Sequence, residues 1–324
     1  MHLHQGHIDS DKAKAIQKRT GKTFYLATRF LPARVRHATH VLYGFFRIAD
    51  EVVDDAAGMP PAEQRAELES LRAQALGEAN ADDPVLTAFA DLKEAAAIAD
   101  EEVNVFIDAM ASDITTSRYE TYAELESYMR GSAAAVGVMM TAVMDMESEL
   151  EDAALPHAIA LGEAFQLTNF LRDVREDIVE RDRIYLPQRT LEKHGVSEAQ
   201  IQRLEHSHSF ESVMRDELQR AEERYRAGVT GIQYLPDDCQ LPVLLAAVLY
   251  AEHHAIIRGQ EYDVLTSAPS LSTVRKLRCL VKTRWHWHWN RDPEAVFRRV
   301  SAVPVADSET ESRGSGHGGG VPTQ

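Results

Sequence analysis

The chain is poor in cysteine, poor in lysine and nearly devoid of strand signals. Cys239 and Cys279 are the only cysteines in 324 residues. Two thiols give no disulfide framework and no metal-ligand spacing, and they suit a reducing, cytoplasmic setting. Basic residues number 35 against 51 acidic ones, a net charge of −16, which argues against nucleic-acid binding through a basic face. Lysine supplies only eight of those 35, arginine the rest. An acid-rich, lysine-poor surface suits a protein kept soluble in concentrated salt, as in a halophilic archaeon, where screening removes the cost of self-repulsion. The alternative is an ordinary acidic protein. The salt-adapted reading predicts a melting temperature that climbs from about 0.05 to about 3 M KCl as the Debye length shrinks; a flat or falling curve would end it.

Long apolar runs are also missing. The longest, 131–144 and 241–251, fall short of the ~18 clean residues of a membrane span, so the expectation is a soluble chain, at most peripheral to a membrane. The polar start, MHLHQGHIDSDK, has no signal-peptide core. No run of alternating β-branched residues is bounded by Asn-Gly or Asp-Gly turns. No Gly-rich loop follows a strand, so no nicotinamide cofactor is expected.

What is present is helix. Segments 33–56, 61–76, 84–99, 101–111, 122–144, 156–181, 209–228, 241–262 and 270–289 read as helices, many opened by Pro or an Asp/Ser/Thr cap. Residues 57–61 and 236–238 read as breaks. Residues 304–324 turn Ser/Gly/charge-rich and are expected to be disordered. The fold class is therefore all-α, with 1–303 as one catalytic domain and 304–324 as a tail.

Two distant segments share one chemistry. Tyr43 to Asp55 contains Arg47, Asp50, Glu51 and Asp54; Gln166 to Asp177 contains Asn169, Arg172, Asp173 and Asp177. In each, two aspartates stand at i and i+4, on one helix face, beside strongly apolar stretches. Like charges at that spacing cost a few tenths of a kcal/mol, and half-buried carboxylates need partners. Either segment alone could be a solvated face, since Arg47–Glu51 and Arg172–Glu176 have ion-pair spacing. Together they suggest hard-oxygen ligands for Mg²⁺ and, through it, a diphosphate. Gln166, Asn169 and Asp173 continue the stripe at i, i+3 and i+7.

These segments resemble the head-to-head isoprenyl diphosphate synthases, the squalene/phytoene synthase family, and most of all its phytoene-forming members. Residues 21–32 resemble the family's N-terminal segment, 43–54 its first aspartate motif, and Arg118-Tyr119 with Glu124-Leu125 the segment before a mid-chain helix. The most specific match is 166–187, QLTNFLRDVREDIVERDRIYLP, about 120 residues after the first motif. Three departures stand out. Residues 128–137 keep the Tyr and the Val-Gly end of a family motif but change its middle. No arginine stands near 266–269, where relatives often carry one for diphosphate; either Arg275 or Lys276 replaces it or the role is lost. The Trp285-His-Trp-His-Trp289 cluster has no counterpart in the family, and His286 and His288, at i and i+2, do not share a face for metal.

The resemblance implies an isoprenoid-synthase-type helical bundle with a central cavity. It implies condensation of two geranylgeranyl diphosphates, through a cyclopropylcarbinyl diphosphate, to phytoene, the first committed step of carotenoid synthesis. Asp50, Glu51, Asp54, Asn169, Asp173 and Asp177 would hold two or three Mg²⁺ or Mn²⁺ ions. Arg47, Arg172, Arg183, Tyr185, Gln166 and Tyr43 would serve diphosphate and carbocation. Phe24, Phe45, Phe165, Phe170 and the small residues 133–137 are candidate walls, and Tyr250 a weaker partner for a cation. Membrane contact for product release is a further expectation. Two alternatives stay open: a squalene or dehydrosqualene synthase using farnesyl diphosphate, and a non-catalytic scaffold of the same fold.

Overall fold

The computed structural model describes residues 26–54, 58–81 and 83–305. Phe24, the start of the 21–32 segment and the tail beyond Val305 lie outside the described residues. Helix α1 (Ala33–Asp54) shows how the sequence positions a site. Val35, Ala38, Leu42, Phe45 and Ala49 recur at helical spacing and are buried. Tyr43, Arg47, Asp50 and Asp54 form a second stripe at i, i+4, i+7 and i+11, rotated away from the core.

Helices α2 (Pro61–Leu76), α3 (Pro84–Ala95) and α4 (Asp100–Asp113) brace α1. Phe45 is fully buried there, stacked on Phe89 with ring centroids 3.9 Å apart and tilted on Phe106. It belongs to the core rather than to a cavity wall; Phe46, 100° further round the helix, faces the cavity instead.

The expected single helix over 122–144 is divided. Helix α5 (Tyr122–Met129) passes through a π-helical turn (Arg130–Ala134) into α6 (Ala135–Ala142). Such turns recur at functional sites. Here the turn lies where the 128–137 motif departs from the family. Gly131 permits it: a Cβ there would lie 2.1 Å from the Val105 carbonyl oxygen of α4.

Helix α7 (Ser148–Arg181) is the central element. At 34 residues it is about 50 Å long. It starts eight residues before Pro156, the expected start. Glu149 and Glu151 in the first turn favour that end electrostatically, and packing against neighbouring helices offsets the lost hydrogen bond and the crowded preceding carbonyl at the proline. Leu167, Leu171, Val174 and Ile178 bury one face in the core. Gly162 lets α7 approach the π-turn, since a Cβ there would lie 2.6 Å from the Ala133 carbonyl oxygen.

Two short helices, α8 (Gln188–Lys193) and α9 (Glu198–Gln202), lead to α10 (His208–Thr230), which packs along α7. A 3₁₀ turn (Gly231–Tyr234) precedes α11 (Asp237–Gly259). The expected break at 236–238 is thus the start of α11, with Asp237 and Asp238 in its first turn. By length and composition α11 could cross a membrane, but 67% of its apolar window is buried inside the protein, so it is a core helix. Helices α12 (Thr273–Trp289) and α13 (Pro293–Val300) cover α11. The described residues form an all-α bundle; their one β-bridge is isolated, between Arg118 and Ile184.

Candidate active site

The two acidic stripes meet in one cavity. Its walls include Asp50 and Asp54 from α1 and Asn169, Asp173 and Asp177 from α7, together with Tyr43, Arg47, Gln166, Arg172, Arg183 and Tyr185. Eleven of the twelve candidate site residues therefore share this wall. Glu51 does not. It accepts from Arg47 Nε at 3.2 Å and its side chain is 42% exposed, which is the plain i,i+4 ion pair that its spacing also allowed.

The cavity joins a second, more apolar chamber through Tyr43, Gln166 and Val136. That chamber shares Gly162, Phe165 and Val136 with a deeper apolar pocket floored by Met140, Leu161 and Ile232. Phe165 packs on Tyr250, centroids 4.6 Å apart; burial pushes the Tyr250 hydroxyl up to about 12. Of the small residues 133–137, Ala133, Val136 and Gly137 face these chambers, whereas Ala134 and Ala135 are fully buried.

The acids are held by arginines. Arg47 Nη1 donates to Asp50 at 3.0 Å. Arg172 forks onto Asp173, its Nε at 2.7 Å. Asp54 accepts from Arg181 Nε at 3.1 Å and from Arg183 Nη1 at 3.0 Å, so the end of the second motif is tied to the first. Asp182, in the left-handed region (φ 51°), turns the chain out of α7. The following loop is laid along Ser117–Tyr119 by Ile184 N–H to the Ser117 carbonyl (2.9 Å) and Gln188 N–H to the Tyr119 carbonyl (2.9 Å). Arg118 fixes the corner through Asp182 and Glu198. Tyr185 then stacks on Phe170, rings 4.0 Å apart, and completes the wall.

Asp113, Tyr128 and Arg181 also line the cavity; nothing local in the sequence singles out Asp113, and Tyr128 stands out there only as the tyrosine kept in the 128–137 motif, without a site role. The Tyr128 hydroxyl donates to Asp113 at 2.7 Å, and Arg183 Nη2 donates to the Asp113 carbonyl oxygen at 3.0 Å. Arg181 carried one signal, its i+4 position from Asp177, with which it pairs at 3.6 Å. Of the proposed replacements for the missing arginine, Arg275 instead pairs with Glu252 at 2.8 Å. Ala268, Pro269 and Ser270 border the upper chamber without offering a cation.

Six carboxylates (Asp50, Asp54, Asp113, Asp173, Glu176, Asp177) share the cavity with four guanidiniums. The imbalance raises several of these carboxyls above their ordinary range. Burial and the neighbouring Asp54 push Asp50 up to about 6; its side chain is 46% open, but it opens into the cavity it lines. Burial and Asp173 push Asp177 to about 7. Burial likewise lifts Asp113 to about 7, against the pull of Arg183. Among the described residues no three acid, imidazole or thiol groups are already arranged to hold a metal ion; Asp50, Asp54 and Asp173 are paired with arginines instead. The donor set nonetheless fits a divalent cation: hard oxygens, two i,i+4 pairs, and a shortage of positive charge.

The chain is similar to known proteins in sequence and in fold. The sequence model of the squalene/phytoene synthase family matches residues 17–277. The 15-cis-phytoene synthase of Synechocystis sp. is 32% identical over 265 residues, covering 79% of this chain and 78% of that protein. The 15-cis-phytoene synthase of Synechococcus elongatus is 31% identical, covering 82% and 89%. Among solved structures, a dehydrosqualene synthase in complex with ligand superposes with a TM-score of 0.77 at 26% identity, covering 87% of this chain and 97% of that one.

Proposed function

Because the chain belongs to the squalene/phytoene synthase family, we propose that it makes phytoene in the cavity where its two aspartate stripes meet. It is a prenyltransferase of the phytoene synthase type, acting on a prenyl diphosphate in carotenoid biosynthesis. Our finer reading takes geranylgeranyl diphosphate as that substrate, Mg²⁺ or Mn²⁺ as the cation and the cytoplasm as its location. One observation supports it above the others: an acidic, arginine-lined cavity opens directly into apolar chambers.

Asp50, Asp54, Asn169, Asp173 and Asp177 would hold the divalent cations, which when bound neutralise charge growing on the leaving diphosphate. The chain's own groups do the rest. Arg47, Arg172, Arg181 and Arg183 can turn their forks from carboxylate to diphosphate oxygens as the cations take the acids. Tyr43 lies on both the acidic cavity and the apolar chamber, where its ring face can steady the allylic cation left behind. Val136, Phe165 and Phe170 exclude the water that would quench it. The second prenyl chain attacks through its alkene. Loss of a proton from the resulting cation closes the cyclopropylcarbinyl diphosphate, which ionises in turn with release of its own diphosphate, rearranges and loses a second proton to give phytoene.

The test is product analysis with purified protein, molar KCl and Mg²⁺, given C15 or C20 diphosphate with and without NADPH. Phytoene from C20 without NADPH, abolished by excess chelator, is the expected result. Squalene from C15 only with NADPH, or dehydrosqualene from C15 without it, would move the chain to another branch of the family. Diphosphate binding without any hydrocarbon would favour the scaffold reading.

A further inference from the structure

Nine large hydrophobic side chains are exposed among the described residues, and five of them lie on α12. Val274, Leu277, Val281, Trp285 and Trp289 are between 60% and 78% exposed. Their spacing of three, four, four and four places them on one face of the helix. The opposite face, Cys279, Thr283 and Trp287, is buried. The stripe is therefore an outer surface that no described residue covers, and the aromatic cluster at 285–289 is its end.

The charge on the same helix is as unusual. The chain carries −16 overall, yet α12 holds Arg275, Lys276, Arg278, Lys282 and Arg284 and no carboxylate. Arg275 and Arg278 are tied to Glu252 at 2.8 and 3.1 Å. Lys276, Lys282 and Arg284 have no ion pair among the described residues. Lys282 and Arg284 are exposed and border the apolar stripe on its two sides.

We propose that α12 is a membrane-docking helix that lies on an anionic lipid bilayer with its Val-Leu-Val-Trp-Trp stripe inserted. An apolar face ending in tryptophan and flanked by Lys/Arg is the composition of an interfacial helix. The basic borders match the anionic headgroups near the bilayer surface. A symmetric contact with a second copy is disfavoured, because it would bring the unpaired Lys276, Lys282 and Arg284 of one copy against the same three of the other. The location also has a use, which rests on the function proposed above. A groove beside the stripe is walled by Phe30, Pro242, Val281 and Trp285, and Pro242 also walls the deep apolar pocket that continues from the site. A hydrocarbon product would leave that pocket next to the bilayer.

The test is sedimentation of the full chain with phosphatidylcholine vesicles, with and without about 30% phosphatidylglycerol, from about 0.1 M to molar KCl. Expected is anionic vesicle binding at least about tenfold tighter than to phosphatidylcholine at the lower salt. A blue shift of tryptophan emission should accompany it, as Trp285 and Trp289 leave water. V281S/W285S should cut binding to both vesicles at least about tenfold, and K282E/R284E should erase the anionic preference. Both variants change exposed residues away from the acidic cavity, so melting temperature and turnover of detergent-dispersed substrate should not move. Absence of vesicle binding, or binding equal in wild type and variants, would overturn the proposal. A concentration-dependent dimer that V281S/W285S dissolves would instead assign the face to a second copy. Because binding is read without catalysis, it can succeed or fail independently of the reaction assay.

Discussion

Asp50→Asn and Asp173→Asn are each expected to lower turnover by roughly 10²–10³ or more, the scale seen when one charge-stabilising group is removed from a reaction centre. The fold should survive. Each carboxylate belongs to a cavity with more acids than guanidiniums, so neutralising one relieves repulsion. Asp177→Asn should go further and stabilise the metal-free protein. Burial and Asp173 raise its folded carboxyl to about 7 from 3.8, so its ionisation opposes folding. The folded state holds that proton in the window between about 4 and 7 where the unfolded chain has lost it; the stability this contributes disappears as pH rises through 7. The difference in melting temperature between Asp177→Asn and wild type should therefore be smallest near pH 4 and largest near pH 8. Asp54 stands apart, because it accepts from both Arg181 and Arg183; Asp54→Asn should lose stability as well as activity. Turnover within a few-fold of wild type in folded Asp50→Asn and Asp173→Asn would remove the metal-ligand role from these stripes.

The stripes were legible because i,i+4 spacing is a property of the helix itself, independent of what surrounds it. The same local rule produced the errors. At Glu51 it could not separate a ligand from an ion-pair partner, and the structure pairs it with Arg47. Phe45 and Phe46 are chemically alike, and only the neighbours Phe89 and Phe106 decide that the first is core. Pro156 marks a helix start in most contexts; here tertiary packing along α10 carries the helix through it. Asp113 and Tyr128 become site residues through a contact across 15 residues and a loop brought in from residue 183. No spacing rule encodes that. The π-turn at Arg130–Ala134 depends on Gly131 pressing against α4, a contact between helices and not a propensity. The bundle itself was readable because apolar periodicity is redundant over many turns.

Arg183→Met tests the contact that sequence reasoning could assign but not locate. Its side chain is only 11% exposed and the Asp54 side chain 16%. Arg183 donates to the Asp54 carboxylate and to the Asp113 backbone carbonyl, and its charge also holds down the Asp113 carboxyl. Removing one partner from a buried ion pair costs about 3–5 kcal/mol where the remaining charge is stranded; Arg181 still holds Asp54 here, so the lower end, about 3 kcal/mol, applies. At about 2–4 °C per kcal/mol for a large domain, the melting temperature should fall by roughly 6–12 °C, with activity lost as well. The penalty should be pH-dependent. Asp113 already sits at about 7 because of burial, and without Arg183 it moves higher, so the neutral acid prevails at pH 6 and the stranded anion gains weight toward pH 8. The deficit of Arg183→Met should therefore be larger at pH 8 than at pH 6. Adding Asp113→Asn should restore part of it, since an amide oxygen can still accept from the Tyr128 hydroxyl at no charge. A melting temperature within a degree or two of wild type at both pH values would show that Arg183 does not bind the two motifs together in the resting protein. It would leave the arginine a role only toward diphosphate, and the rescue by Asp113→Asn would then be absent too, because there would be no stranded charge to remove.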